Sequence, residues 1–263
     1  MPLEFYTVLG LAFLFGAIIG SFLNVCIYRI PAGKSIISPP SSCPNCGAGI
    51  RWYQNIPILS WLLLGGRCAA CKVRISPRYP LIEALNGVLF VLVLWYFGFS
   101  WATLIYWLLM SALVVITFID LDHQIIPDVI SLPGIIVGFA TSFAIPWLPW
   151  YESLIGILVG GGSLYLVAWL YEMIAKREGM GGGDIKLLAM LGAFLGWKAI
   201  FPVIFLASVV GTLIGVPLML LQKGDSKLAL PFGPFLASAA AVYLFWGPAL
   251  IDWYLGFFAP NGG

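Results

Sequence analysis

Two short runs of the sequence place acidic residues at the edges of apolar segments. The first, Phe118-Ile119-Asp120-Leu121-Asp122-His123-Gln124-Ile125-Ile126-Pro127-Asp128, closes one apolar stretch and opens another. The second, Gly179-Met180-Gly181-Gly182-Gly183-Asp184, sets an aspartate between a glycine-rich segment and an apolar stretch. Acidic side chains near membrane helices are costly and default to functional roles. The glycines let the backbone approach another chain or a substrate closely. Two carboxylates in a desolvated cleft cannot both ionise readily, so one keeps its proton and the other acts as a base. The base takes a proton from water while the acid polarises a carbonyl, which is amide hydrolysis without a covalent intermediate. Asp120 and Asp184 are the candidate pair. The plain structural alternatives are a helix-start cap for Asp184 and a solvated turn for the first cluster, where Asp122 and Asp128 include at least one such residue. No Gly-x-Ser-x-Gly occurs, and the lone His123 has no evident nucleophile partner, which disfavours a His-containing triad.

A second constellation is sulfur. Cys43-Pro-Asn-Cys46 and Cys68-Ala-Ala-Cys71 fall in one polar segment. Each pair forms a tight turn that aims two thiolates at one point, and two such turns supply a tetrahedral four-thiolate zinc site. Arg51, Arg67, Lys72 and Arg74 are placed to offset the excess negative charge. Four protein ligands leave no open position, so the expected zinc is structural. The alternative is two disulfides, which a reducing cytoplasm disfavours. Cys26 lies in an apolar run and reads as packing.

These residues need elements to hold them. The chain has 263 residues, 61% hydrophobic and only 9% charged, against about 25% charged in globular domains. That leaves too little polar surface for a water-soluble particle, and a bilayer is the natural solvent. The net charge of +2 and the absence of a basic stripe give no nucleic-acid signature. The 30 glycines and 18 prolines fit membrane helices, where small residues allow close backbone approach. Apolar segments at Phe5–Tyr28, Leu81–Phe97, Trp101–Ile119, Val129–Pro146, Ser153–Ala175, Ile185–Trp197, Ala199–Leu221 and Leu228–Ile251 predict about eight transmembrane helices. The sixth is short. Phe5–Tyr28 lacks a basic n-region and a cleavage site, and reads as a retained helix rather than a signal peptide. With this count every basic residue except Lys198 lies on one side, which the positive-inside rule makes cytoplasmic. Both acidic loops fall on that side too.

Taken together the motifs resemble one family, the type IV prepilin peptidases, which are intramembrane aspartyl proteases of the GxGD class. The resemblance is carried by Gly20-Ser21-Phe22-Leu23-Asn24-Val25 with Arg29 and Pro31, the two CxxC pairs, the Asp120–Asp128 run ending Ile-Pro-Asp, and Gly181-Gly182-Gly183-Asp184. It implies an all-α polytopic membrane bundle with a small zinc-stapled cytoplasmic loop domain, in the bacterial inner membrane. The expected parts are a first helix over 1–28, the four-cysteine domain over 29–80 and a protease core over 81–263. The substrate would be a type IV prepilin or type II secretion pseudopilin, cut after a glycine on the cytoplasmic side. The catalytic aspartates would be Asp120 and Asp184. Members with the four-cysteine loop typically also methylate the new N-terminal amine, using S-adenosylmethionine. No Rossmann-type glycine fingerprint accompanies that second activity. Asn24, Arg29 and Glu83 near the loop ends are plausible site lining or helix packing. Two rival classes are a lipid or prenyl transferase holding Mg²⁺ on Asp120 and Asp122, and a proton-coupled transporter with a carboxylate relay.

Overall fold

The computed structural model describes residues 3–176, 181–221 and 231–258. Arg177, Gly179, Met180, Lys223, Lys227 and the predicted helix start at Leu228 lie outside the described residues. Among the described residues every regular element is a helix, and two isolated antiparallel bridges are the β pairing. It divides into two compact units, 1–118 and 119–263.

In the first unit, α1 (Leu3–Arg29) is a single apolar helix that closes on Arg29 in its last turn, where a cation suits the helix dipole. A polar segment with the one-turn α2 (Leu59–Leu63) leads to α3 (Arg78–Phe97). Gly98, at φ +61°, turns the chain into α4 (Trp101–His123), which carries it on into the second unit. The seam between α1 and α3 is made of small residues. A Cβ on Gly16 would sit 2.8 Å from Gly87 Cα, and one on Gly20 would sit 2.7 Å from Glu83 Cα. Lipid tails are as apolar as the side chains, so close backbone packing and interhelical hydrogen bonds replace the hydrophobic effect as the glue. Asn86 supplies such bonds: its fully buried amide donates to Gly16 O at 2.7 Å and accepts from Ser111 Oγ at 3.3 Å.

The second unit holds α5 (Asp128–Thr141), α6 (Trp150–Ala175), α7 (Gly182–Leu195), α8 (Ile200–Leu221) and α9 (Gly233–Phe258). Leu187 to Phe194 of α7 are buried on every face, with α5 and α6 packed against it. The approach of α6 to α7 is close because glycine meets glycine: a Cβ on Gly156 or on Gly192 would collide with the other's backbone. Ser153 Oγ donates to Ala193 O at 2.7 Å across the same seam.

Among the described residues, six helices are long and apolar enough to cross a membrane, and the chain reads as a multi-pass membrane protein. The fourth and sixth predicted segments appear as α5 and α7, of 14 residues each. At 1.5 Å per residue such a helix covers about 21 Å, short of a hydrocarbon core of about 30 Å. The sixth segment also begins earlier than its apolar run implies, so Asp184 lies inside the first turn of α7.

Candidate active site and metal centre

Both candidate aspartates belong to the second unit. Asp120 sits one turn from the end of α4 and is only 5% exposed. Its carbonyl takes the N–H of Gln124 at 2.8 Å; Gln124 is left-handed at φ +54°, and the helix stops there. Pro127 then precedes α5. The side chain of Asp120 reaches the start of α9, where Gly233 N–H donates to Oδ2 at 3.0 Å. That N–H is one of the groups a helix start leaves without an intrahelical partner. A carboxylate there satisfies it and meets the positive end of the helix dipole.

Asp184 is half-buried in the first turn of α7, its own N–H bonded to Gly181 O at 3.2 Å. Ile126 links the two segments. A Cβ on Gly183 would lie 2.9 Å from Ile126 Cβ, and one on Gly233 would lie 3.3 Å from Ile126 Cδ1 and 2.6 Å from Asp120 Oδ2. Glycine is therefore required twice at this site, once beside each aspartate.

The other acidic residues of the first run are placed differently. Asp122 and His123 are exposed. Asp128, at the start of α5, takes Lys186 Nζ at 2.7 and 2.8 Å, tying that start to the first turns of α7. Both partners are well exposed, so the pair is worth at most about 1 kcal/mol. Sequence reasoning missed Gly233. Its only signal was Pro231-Phe232-Gly233-Pro234, a glycine followed by a proline at a helix start.

The four cysteines of the first unit converge, with all four Sγ atoms within 4.8 Å of one another. Two knuckles of the same design build the cluster. In the first, Cys43 N–H bonds Ala48 O, Gly47 N–H bonds Cys43 O, and an antiparallel bridge joins Ser42 to Gly49. In the second, Cys68 N–H bonds Val73 O, Lys72 N–H bonds Cys68 O, and Arg67 bridges Arg74. Each needs a left-handed residue after its second cysteine: Gly47 at φ +71° and Lys72 at φ +60°. Cys43 Sγ and Cys71 Sγ are 3.8 Å apart. Four metal–thiolate bonds of about 2.3 Å make a tetrahedron with edges of about 3.8 Å, so the donor set fits a metal ion. The cysteines are free thiols. The thiols differ in acidity. The N–H of Val73 and the Asn45 amide pull Cys71 down to about 6. Cys46 is pushed up to about 11, because the Ala48 N–H that favours its thiolate is outweighed by Cys71, burial and the other two sulfurs.

Asn24, Arg29 and Glu83 hold backbone in the first unit. Asn24 Nδ2 donates to Gly20 O at 3.3 Å and Tyr79 O at 3.2 Å. Arg29 donates to Ser35 O and Pro39 O at 2.9 and 2.7 Å. Glu83 Oε2 accepts the N–H of Ile58 at 2.7 Å.

Comparison with known proteins finds two family domains along the chain. Residues 14–97 match the bacterial peptidase A24 N-terminal domain, and residues 107–216 match the type IV leader peptidase family. A prepilin leader peptidase/N-methyltransferase of Stutzerimonas stutzeri is 40% identical over 97% of this chain and 98% of its own length. One of Pseudomonas aeruginosa is 39% identical over 93% of this chain and 92% of its own. One of Myxococcus xanthus is 44% identical over 81% of this chain and 63% of its own. No solved structure matches.

Proposed function

Since this chain belongs to the type IV leader peptidase family, we propose that it removes the leader peptide from prepilins or pseudopilins, with Asp120 and Asp184 as the catalytic pair, and N-methylates the product. The observation that carries the assignment of the pair is the buried carboxylate of Asp120, held by Gly233 N–H, with Ile126 lying against both Gly233 and the Gly183 that precedes Asp184.

The roles follow from the surroundings. Gly233 N–H stabilises negative charge on Asp120 Oδ2, so Asp120 is the base and Asp184 carries the shared proton. Asp120 takes a proton from water as the water oxygen bonds to the scissile carbonyl carbon. Asp184 gives its proton to the carbonyl oxygen. The tetrahedral species then collapses: one of its O–H protons returns to Asp184 as the C=O bond re-forms, the C–N bond breaks with its electron pair staying on nitrogen, and the proton now on Asp120 passes to the leaving amine.

The depth of the site suits a substrate whose cut lies at the end of an apolar helix. A Cβ on Gly161 of α6 would lie 3.9 Å from Ile185 O, so Gly161 is level with the start of α7. From there α6 runs on to Ala175, about 14 residues or roughly 20 Å. The whole of α6, with 26 residues, measures about 39 Å, some 9 Å more than a hydrocarbon core. Asp184 therefore starts below the end of its neighbour, within the bilayer rather than above it. The basic-residue asymmetry supports a cytoplasmic reading of that end, and the family resemblance supports the bacterial inner membrane. The four thiolates hold a structural zinc, their spacing and number suiting that ion. S-adenosylmethionine supplies the methyl group.

The test is mass spectrometry of a prepilin co-expressed with this chain. Leader removal and a single added methyl group are the expected products. An intact leader would contradict the peptidase assignment, and a cut but unmethylated product the second activity.

A further inference from the structure

We propose that a cavity in the first unit, between the C-terminal half of α1 and the 36–57 segment, is the binding site of the methyl donor, S-adenosylmethionine. The inference rests on the methyltransferase reading above and assigns it a place. The cavity measures about 510 Å³, within the roughly 300–1,000 Å³ typical of small-molecule sites. Its lining is mixed. Phe22 and Val25 of α1 give an apolar wall, and Arg29, Trp52 and Asn55 bring a cation, an aromatic face and an amide.

The wall is fixed before any ligand arrives. Arg29 is anchored by its bonds to Ser35 O and Pro39 O; a guanidinium has five N–H donors, and two carbonyls do not exhaust them. Glu83 of α3 holds the turn at the other edge, accepting from Ile58 N–H at 2.7 Å. Ile58 holds φ +63°, a conformation a β-branched residue adopts only under constraint. That turn seats Ile56 and Pro57 on the cavity edge. Trp52 meets Tyr53 edge-on at 5.7 Å and is otherwise 82% exposed, so its ring has an open face.

The donor's chemistry matches these groups. It carries a carboxylate, a sulfonium cation and an adenine ring. A planar guanidinium suits the carboxylate. An exposed indole attracts a sulfonium by cation–π contact or stacks with adenine. The Asn55 amide offers the donor and acceptor that an adenine edge requires. Transfer itself needs a neutral amine: its lone pair forms the new N–C bond as the C–S bond breaks, the pair from that bond stays on sulfur as a neutral thioether, and the surplus proton on nitrogen leaves to water.

Binding is measured apart from turnover, by equilibrium dialysis of methyl-tritiated S-adenosylmethionine against the full-length, metal-loaded protein in detergent. The wild type is expected to bind about one molecule per chain. Trp52→Ala should weaken binding about tenfold, the size of one lost stacking or cation–π contact, and Val25→Trp should block it by filling the cavity. Metal content and a monodisperse detergent peak check folding. Photo-cross-linking of the donor to the wild type, with peptide mapping, does not depend on either variant. An adduct on 18–29 or 52–57 supports the site. Undiminished binding by both folded variants, or an adduct outside the first unit, overturns it while leaving methylation in place. Wild-type protein that binds no donor removes the methyltransferase reading and this site with it.

Discussion

A methyl group on Gly233 would stand 2.6 Å from Asp120 Oδ2, closer than any two such atoms settle. One of them must move, and the neighbour is the carboxylate proposed as the catalytic base. Gly233→Ala is expected to keep the fold at a cost of about 1–3 kcal/mol for overpacking. It should slow leader removal about a hundredfold, the usual effect of displacing a catalytic group by an ångström. Single-turnover cleavage of a purified prepilin checks this; a rate within twofold of wild type would show that Asp120 does not need this register. The two candidate aspartates stood out in the sequence because an acid beside an apolar segment is expensive, and few explanations survive for it. Gly233 was not, since a glycine before a proline at a helix start has an ordinary explanation. Its contact with Asp120 joins positions 113 residues apart, which no local pattern reports. The Asp128–Lys186 pair was equally hidden, and it gives Asp128 a surface structural role outside the dyad.

At the scale of elements, the two knuckles repeat each other hydrogen bond for hydrogen bond, yet only the cysteine spacing was visible beforehand. Gly47 and Lys72 occupy the same left-handed position, and their side chains have nothing in common, so the repeat is one of backbone and not of residue type. The cluster is expected to hold about one zinc per chain with Zn–S distances of about 2.3 Å, read by elemental analysis and X-ray absorption. Metal must displace the proton of Cys46, whose thiol sits at about 11. Affinity should therefore fall as the pH drops, because protons compete for the thiolates. Zinc-free protein with all four cysteines oxidised would contradict the assignment, and so would zinc affinity indifferent to pH between neutrality and 5. Helix positions were legible from apolar runs, but helix ends less so. Asp184 stands inside α7 because two glycines ahead of it join the helix, which hydropathy alone places in the preceding loop.

For the whole molecule, the central claim is that a peptide is cut at the level of the membrane by two acids that share one proton. Sidedness is its first requirement. A reporter fused after Lys34 should read cytoplasmic, and reporters after Ser100 or Trp150 external; a cytoplasmic reading at Ser100 would place the carboxylates away from the basic leader of a prepilin. The positions of the apolar segments were legible, and among the described residues six of the eight appear as helices long enough to cross a membrane. The shortness of α5 and α7 was less so, because burial against neighbouring helices and exposure to lipid give the same apolar sequence. The dyad itself is tested most directly by replacing each acid with its amide. Asparagine keeps the approximate shape and still accepts Gly233 N–H, but it neither takes a proton from water nor returns one. The measurement is the mass of a prepilin co-expressed with Asp120→Asn or Asp184→Asn, with Asp128→Asn as the contrast and each variant's level and zinc content matched to wild type. Either of the first two substitutions should leave the leader fully retained, and the third should still remove it. Processing near the wild-type rate by Asp120→Asn or by Asp184→Asn would contradict it.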